Sequence, residues 1–328
     1  MKLAFQPSRN QVHVNKPLTN ISIAYIQDTQ MFIADRVFPN IPVQKQSDRY
    51  FKYERDNWFR VQAEKRAPAT ETAGSGWEID NTPTYFADVY GLHKDIDDQI
   101  RANADEPLNM DRDGTEWLTQ QLLLKREKTW ATQYFTDGIW GTDLSGVDAT
   151  PTAGQFLHWD DPDSTPIEDI TSAGIEMASL TGKRPNVLVV APYVFNALKN
   201  HSDIIDRIKY TQMGLLTQDI LAGLFEVDRV LIPWGVENIA PEGQDLDNEF
   251  MFGKHALLAY SNPNPSILTP SAGYTFSWQG YLGAGQAGNR IRSFRMEHLN
   301  ADRLEGEMAY DQKLVAPDLG VFFEDAIS

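Results

Sequence analysis

A long charged stretch set between two aromatic-rich segments is the feature that most restricts how this chain can fold. The aromatic segments cover residues 49–53 and 84–90. Short runs rich in Tyr and Phe are typical of β-strands, so the two segments predict the arms of one long hairpin. Within the charged stretch, residues 67–76 have the Gly, Pro, Ser and Thr content of a turn. Loops of this length are usually either functional or disordered, and the functional interpretation makes the hairpin the first candidate for a site.

Two aromatic residues near the predicted tip, Trp58 and Phe59, have no evident local core to join. Exposed aromatics beside arginines are typical of the anchors of protein interfaces. Two interpretations stay open, since the pair either contacts a partner surface or folds back onto the hairpin. On the first interpretation, the candidate contact residues are Tyr50, Phe51, Tyr53, Trp58, Phe59, Arg60, Lys65 and Arg66.

Residues 1–43 predict an extended arm. Prolines interrupt helix formation along this segment, and its apolar residues show no period. One short helix is expected near residues 19–28. A segment that can bury so little of itself must lie on another surface, either the chain's own domain or a neighbouring chain. Composition alone allows an ordered tail equally well.

Length, charge and cysteine content exclude several classes of protein. A chain of 328 residues can hold two linked cores. No apolar run approaches the ~20 residues needed to cross a bilayer, and the N-terminus lacks a secretion signal, so a cytoplasmic protein is expected. The absence of cysteine excludes disulfides and thiolate metal sites. A formal charge of −17 argues against a dedicated nucleic-acid binder but permits a container for DNA.

The strongest helical pattern runs from about residue 113 to 135, with Asp111 or Asp113 expected to cap it. One face of this helix should be buried, and the face opposite to it, which carries Lys125, Arg126 and Thr129, should be solvated. The predicted buried stripe consists of Trp117, Leu123, Leu124, Trp130, Ala131, Tyr134 and Phe135.

An α/β lobe is predicted after a linker over residues 136–163. Thr165 and Glu168 form a capping box with Pro166 at the first helical position, and Gly182 should end that helix. Further helices are expected near residues 194–199 and 217–224. The predicted strands cover residues 186–190, 228–232, 249–252, 256–260, 275–278, 291–298 and 304–314.

No motif in the sequence supports enzyme chemistry or a bound cofactor. Gly283–Gly288 matches a dinucleotide fingerprint by letters, but the following residues 291–295 predict a strand where that motif needs a helix. Residues 109–114 imitate a calcium loop and are better explained as a helix cap, because Gln120 replaces the bidentate glutamate. Residues 158–163 hold oxygen ligands beside His158, which is common in acidic linkers. No cofactor or catalytic residue is therefore predicted.

The order of arm, charged hairpin, long helix and α/β lobe resembles the major capsid proteins of tailed bacteriophages, which have the Hong Kong 97-like fold. Similar segments follow in the same order along nearly the whole chain. They are residues 33–39, 47–51, 67–71, 101–105, 116–135, 185–189 and 225–230.

The resemblance implies an α+β capsid fold with four parts. It gives an N-terminal arm at 1–44, an extended loop at 45–92 and an axial domain at 165–285 around capsomer centres. The peripheral domain would combine residues 93–164 and 286–328, with the spine helix at about 113–135. The loop would reach over a neighbouring subunit.

Pentamers and hexamers of this chain are then expected to form an icosahedral shell around double-stranded DNA, without sequence-specific binding or membrane contact. The expected location is the virion capsid, assembled in the host bacterial cytoplasm. Some members of the family carry a cleavable scaffolding segment before the arm, so either maturation has removed it here or a separate scaffolding protein guides assembly. Met1 directly before the arm favours the separate protein, and a portal and a decoration protein are further expected partners. An encapsulin-type compartment shares the fold and is the first alternative, and a soluble α/β enzyme is the second.

Overall fold

The computed structural model describes residues 31–53, 58–103, 109–208, 217–241, 243–245, 247–262, 264, 270–283 and 288–328. The helix expected near residues 19–28 lies outside the described residues, as do residues 284–287 of the Gly-rich motif. Helices and strands are mixed along the chain, as the sequence predicts.

The first half of the described chain contains the hairpin strands and the longest helix. Its elements are α1 Ala34–Val37, β1 Asn40–Val43, β2 Ser47–Arg49, β3 Lys52–Tyr53, β4 Ile79–Asp80, β5 Thr84–Phe86, β6 Asp88–Asp97, α2 Asp98–Asn103, α3 Met110–Tyr134, β7 Thr142–Val147, β8 Gln155–Leu157 and α4 Pro166–Thr181.

The second half alternates short helices and strands before a final group of long strands. Its elements are β9 Val187–Val190, α5 Pro192–Asn200, α6 Ser202–Ile208, α7 Gln218–Leu224, β10 Arg229–Leu231, β11 Val236–Asn238, β12 Asn248–Phe250, β13 Ala256–Ala259, β14 Gly273–Trp278, α8 Gln279–Leu282, β15 Asn289–Met296, β16 Ala301–Leu314 and β17 Gly320–Glu324.

A long sheet is organised around β16. One edge of β16 pairs with β6, and its other edge pairs first with β15 and then with β14, all antiparallel. β1 extends the sheet by pairing parallel to β14. The end of the arm is therefore a strand of the chain's own sheet, which settles where residues 40–43 lie.

The second sheet has the strand order β10-β9-β13-β17-β7-β8. β9 is buried on both faces, which explains its continuous apolar sequence. Trp159 and Phe323 meet in the adjoining core with ring centroids 5.1 Å apart. α4 packs its buried residues Ile170 and Met177 against the same core. This sheet holds the central strands β9, β10 and β13 of the predicted α/β lobe, together with β7, β8 and β17 from outside the predicted range.

α3 packs along β16 and β6 through Leu118 and Leu122. Gly306 on β16 permits a close approach, because a Cβ there would lie 3.1 Å from Leu122 Cδ1. The predicted buried stripe was wrong at Trp117, which is 42% exposed, and the predicted solvated face was wrong at Arg126, which is buried. Arg126 can face inward because it pairs with Asp35, a residue far away in the sequence.

Two predicted helix caps were also wrong. Asn109 caps α3 by accepting the Arg112 N–H at 3.1 Å, so the helix begins at Met110 and not near residue 113. Thr165 makes no side-chain cap bond, because its hydroxyl bonds the Asp169 carboxylate instead. Glu168 pairs with Arg207 and does not complete the capping box.

The predicted linker over residues 136–163 contains β7 and β8. Both strands belong to the second sheet, where β7 pairs parallel to β17 from the C-terminal end of the chain. Strand pairing also crosses the predicted domain ranges, because β14 belongs to the long sheet with β16. The domain division itself stays a prediction.

Candidate inter-subunit surface

Two short antiparallel strand pairs form the predicted hairpin. β2 pairs with β5, placing Asp48 opposite Tyr85, and β3 pairs with β4, placing Tyr53 opposite Ile79. The hairpin is thus confirmed over the described residues, although its paired stretches are shorter than expected. The side chain of Tyr53 lies outside the described part of the structure.

The root of the hairpin is fixed to the long sheet by aromatic stacking. The rings of Tyr50 and Tyr85 stack on Phe276 at centroid distances of 5.7 and 4.6 Å. The Phe86 N–H donates to Asp311 Oδ2 at 2.8 Å. Burial raises the pKa of Asp311, and the bond from Phe86 opposes that rise. Tyr50, one of the predicted contact residues, therefore packs largely within its own chain.

Beyond this root, large apolar side chains remain exposed. Residues 58–82 are exposed except at two partly buried positions. Apolar side chains grouped on a surface in this way are typical of interaction sites. The exposed set, with exposed fractions from 48% to 93%, consists of Phe51, Trp58, Phe59, Val61, Trp77 and Ile79.

Trp58 and Phe59 both touch other parts of the same chain. The Trp58 ring lies 5.8 Å from the Trp77 ring across the hairpin. Phe59 lies against Gly182 at the end of α4, where a Cβ built on the glycine would be 3.2 Å from Phe59 Cζ. Both aromatic rings remain more than half exposed. The hairpin covers part of Trp58 and the end of α4 covers part of Phe59, and the remaining area of both side chains is exposed.

The predicted basic residues Arg60, Lys65 and Arg66 are all exposed on the same segment. Arg66 Nε donates to the Thr70 carbonyl at 2.5 Å, and the Thr70 N–H donates to the Ala67 carbonyl at 3.3 Å. These bonds shape the turn at the far end of the hairpin.

Sequence reasoning missed three apolar members of this surface, Val61, Trp77 and Ile79. An indication was present in residues 77–79, where apolar residues flank Glu78 with the period of a strand. The returning arm of the hairpin therefore contributes to the exposed surface as much as the outgoing arm.

The end of the arm is held by a buried carboxylate on α3. Glu127 is 1% exposed, and its two oxygens accept the backbone N–H groups of Ile33 and Ala34 at 2.8 and 2.9 Å. Desolvation raises the pKa of Glu127 to about 7, against the two N–H bonds that favour the ionised form. Glu127 therefore caps the first turn of α1 from a distant element.

Aromatic packing adds to this anchor. Phe38, just after α1, is fully buried with its ring 5.6 Å from Trp130 and 4.9 Å from Tyr134. Arg126 pairs with Asp35 on the adjoining side of α1. The exposed hairpin thus follows a segment, residues 33–38, that is held by buried contacts with α3.

The described residues contain no group of three or more His, Asp or Glu side chains arranged to hold a metal ion. His158 instead pairs through Nδ1 with Asp148 Oδ1 at 2.8 Å. Around the Gly-rich motif, the described segment after it is β15, which pairs antiparallel with β16 and gives no βαβ unit. In the described part of the chain, no helix is long and apolar enough to span a membrane.

Two curated relatives match most of the chain. The major capsid protein of Pseudomonas phage JBD67 is 28% identical over 325 residues, covering 96% of this chain and 97% of the relative. The major capsid protein of Burkholderia phage BcepMu is 24% identical over 276 residues, covering 81% of this chain and 84% of the relative. No protein-family model matches the chain.

Solved structures show the same fold at lower identity. A phage-related protein from Bordetella bronchiseptica RB50 has a TM-score of 0.71 and 19% identity, covering 96% of this chain and 98% of that protein. The capsid of cyanophage P-SCSP1u has a TM-score of 0.54 and 12% identity, with coverage of 100% and 93%. An encapsulin complex from Synechococcus elongatus PCC 7942 has a TM-score of 0.54 and 10% identity, with coverage of 88% and 85%. The expected resemblance is thereby confirmed, and the chain is a relative of phage major capsid proteins that shares their fold.

Proposed function

We propose that this chain is the structural subunit of a phage capsid. In this proposal, copies assemble as pentamers and hexamers into an icosahedral shell that encloses double-stranded DNA. The observation that carries it is the exposed apolar surface of the hairpin, residues 58–82, in a chain related to major capsid proteins. A monomer gains nothing from exposing these side chains, whereas a neighbouring copy would bury them.

The proposed layout is that of the Hong Kong 97-like subunit. The arm covers residues 1–44 and the extended loop 45–92, while the axial domain covers 165–285. Residues 93–164 and 286–328 form the peripheral domain. The packing of α3 along β6 and β16 supports this layout, because it joins the two chain segments assigned to the peripheral domain.

The proposed partners are other copies of the chain, a separate scaffolding protein, a portal and a decoration protein. The subunit is made in the host cytoplasm and ends in the virion, where it does no substrate chemistry. Its charge of −17 supports enclosure of DNA without tight binding, because the net charge repels phosphate groups.

An encapsulin-type compartment is the second candidate function. Its support is the fold likeness to the Synechococcus encapsulin complex, which has the same TM-score as the cyanophage capsid. The two curated relatives, both phage major capsid proteins, favour the capsid. The content of particles purified from the natural source separates the two candidate functions, because a phage capsid would hold DNA and an encapsulin-type compartment would hold protein.

Assembly itself can be measured on the purified chain. At micromolar concentration we expect capsomers or closed shells in sedimentation velocity, with and without a crowding agent or scaffolding protein, and round particles in electron micrographs. The physical reason is that the apolar hairpin surface gains burial only in contact with another copy. A compact monomer under every condition would contradict the proposed function.

Trypsin should report whether the hairpin is covered. In free subunits, Arg60, Lys65 and Arg66 are exposed on a segment with few buried contacts, so cleavage there should precede cleavage elsewhere. In assembled particles the same sites should be protected. Arg303 on β16 serves as an internal control, because its pairing with Asp95 inside the long sheet should keep it resistant in both states. Equal cleavage of the hairpin in both states would argue against a covered loop.

A further inference from the structure

The long sheet ends on one side in a strand whose outer edge is open. β6 pairs with β16, and in the described part of the chain no strand pairs with the other edge of β6 along residues 88–97. The burial of β6 agrees with this, because residues 91–95 are an unbroken run of exposed residues. Edge strands present backbone N–H and C=O groups that can pair with another chain, and proteins usually cover or shorten such edges. This ten-residue open edge is therefore a candidate surface for strand pairing.

Two hydrogen bonds at the ends of β6 show which backbone groups point outward. The Asp98 N–H donates to the Asn300 carbonyl at 3.1 Å, in continuation of the β6–β16 pairing. Alternate residues of an antiparallel strand direct both backbone groups to the same neighbour, so the even-numbered residues of β6 face β16. At the other end, odd-numbered Ala87 points away from β16, because its N–H donates to the Gln46 carbonyl at 2.8 Å. The backbone groups on the open edge therefore belong to Val89, Gly91, His93 and Asp95.

Exposed apolar side chains lie on both faces of this edge. The even-numbered side chains of β6 face α3, because Ile96 packs against Leu118 of that helix. On this face Leu92 is 36% exposed, and Trp117 of α3 is 42% exposed. Val89, on the opposite face, is 43% exposed. A strand added to the edge would cover apolar area on both faces as well as the backbone groups.

The charges on β6 are arranged symmetrically about Gly91. Asp88 lies three residues before Gly91 and Lys94 three residues after it, and both charged side chains are exposed. A second β6 strand, antiparallel and centred on Gly91, places Asp88 opposite Lys94 at both ends of the contact, and such cross-strand pairs are stabilising. The same register places Tyr90 opposite Leu92. A register centred on Tyr90 would instead place Asp88 opposite Leu92.

The open part of the edge also has the length that this register needs. It begins after Ala87, because Gln46 occupies both backbone groups of that residue, with Gln46 Nε2 donating to the Ala87 carbonyl at 3.2 Å. Pairing centred on Gly91 extends as far as Lys94. The next position, Asp95, would lie opposite the occupied Ala87 of the other copy. The pairing therefore fits between the two occupied ends.

From these observations we infer that β6 pairs antiparallel with β6 of a second copy, across a two-fold axis at Gly91, and joins two long sheets into one. Such a contact is isologous, because each copy contributes the same surface. It cannot lie within a ring of five or six copies, whose contacts join two different surfaces. The contact therefore joins neighbouring capsomers, and this placement rests on the proposed function.

The absence of native cysteine allows the register to be tested by crosslinking. Gly91→Cys is compatible with the fold, because a Cβ there would make only ordinary contacts, at 3.8 Å, with Glu307 and Gly306. Directly opposed Cβ atoms of an antiparallel pair lie about 4.5–5.5 Å apart. Particles of this variant, treated with a thiol reagent of about that length, should give linked dimers joined through residue 91 of both chains.

Val89→Cys is the matched control. In the inferred register the two copies of residue 89 are four positions apart along the strands, about 14 Å, so this variant alone should give no linked dimer. Residue 89 lies opposite residue 93 of the other copy. Mixed particles of Val89→Cys and His93→Cys should therefore give linked dimers, and peptide mass spectrometry identifies the two joined positions.

Charge reversal tests the contact without a crosslinker. Asp88→Lys places like charges opposite each other at both ends of the contact and should raise the subunit concentration needed for assembly roughly tenfold. Adding Lys94→Asp restores opposite charges in exchanged positions and should return that concentration to within about twofold of the wild type. Asp163→Lys makes the same change of net charge at an exposed position between β8 and α4 and should have little effect.

Particles of Gly91→Cys that give no linked dimer, or equal linking by Val89→Cys alone, would overturn the inference and leave the proposed function standing. A double charge variant that assembles no better than Asp88→Lys would overturn it as well, and this comparison decides the matter if Gly91→Cys does not assemble. Failure of the wild-type chain to form particles would instead count against the proposed function. Linked dimers from the concentrated Gly91→Cys chain would in that case still support the strand contact.

Discussion

Replacing Trp58 and Phe59 together by alanine is expected to prevent particle formation at concentrations where the wild-type chain assembles. Both rings are more than half exposed in the free subunit, so little of their burial is available without a partner. Truncating a central aromatic anchor costs about 2 kcal/mol or more. Loss of two such anchors, about 4 kcal/mol, should raise the critical concentration roughly a thousandfold. Sedimentation across a concentration series measures this change.

The free double variant should remain folded, because neither side chain belongs to the buried cores of the described residues. Its far-ultraviolet circular dichroism and melting temperature should match those of the wild type. The conservative pair Trp58→Phe and Phe59→Leu keeps apolar area at both positions and should assemble much more readily. Normal particles from the alanine double variant would show that the hairpin aromatics are not the contact between copies.

Replacing Glu127 by alanine should strongly destabilise the chain where the end of the arm meets α3. It removes the acceptor of two buried N–H groups, those of Ile33 and Ala34. A buried donor left without a partner costs about 1–3 kcal/mol, so the free energy of unfolding should fall by about 2–6 kcal/mol. Urea denaturation of the free subunit measures this loss. Glu176→Ala on the exposed side of α4 is the matched control and should have almost no effect.

Glu127 should also make stability depend on pH in an unusual direction. Its pKa is raised from 4.5 to about 7 in the folded chain, so the folded state binds the proton more tightly than the unfolded state. The stabilising contribution of this proton is complete below about pH 4.5 and is lost as pH rises to about 7. This change amounts to about 3 kcal/mol. Most acidic groups have lowered pKa values in folded proteins, so their contribution to stability is lost as pH falls and not as it rises.

The difference between the wild type and Glu127→Gln isolates this effect, because the amide does not titrate. Unfolding free energies measured at pH 5, 6, 7 and 8 should show the wild type losing stability relative to the Gln variant up to about pH 7 and no further change above it. A constant difference across that range would mean that Glu127 is ionised throughout.

The sequence by itself determined the hairpin, because its two aromatic strands and the turn residues between them are close together in the chain. It also predicted the long helix and most strands of the α/β lobe, since their periodicity depends on local burial. The lack of an evident local core made Trp58 and Phe59 candidates for exposure, and the sequence left open whether they fold back onto the hairpin. The resemblance to capsid proteins rested on the order of these elements and was confirmed by the relatives.

Only the tertiary structure decided which side of α3 is buried and what holds the arm. Arg126 and Glu127 are charged residues, which on local pattern belong in solvent. Their partners Asp35, Ile33 and Ala34 lie on a segment distant in the sequence, so no periodicity within α3 could predict the pairing. The same reason applies to β7, which becomes a strand by pairing with β17 from the other end of the chain. Phe59 on Gly182 is likewise a contact between distant segments, and such contacts depend on how the whole chain folds.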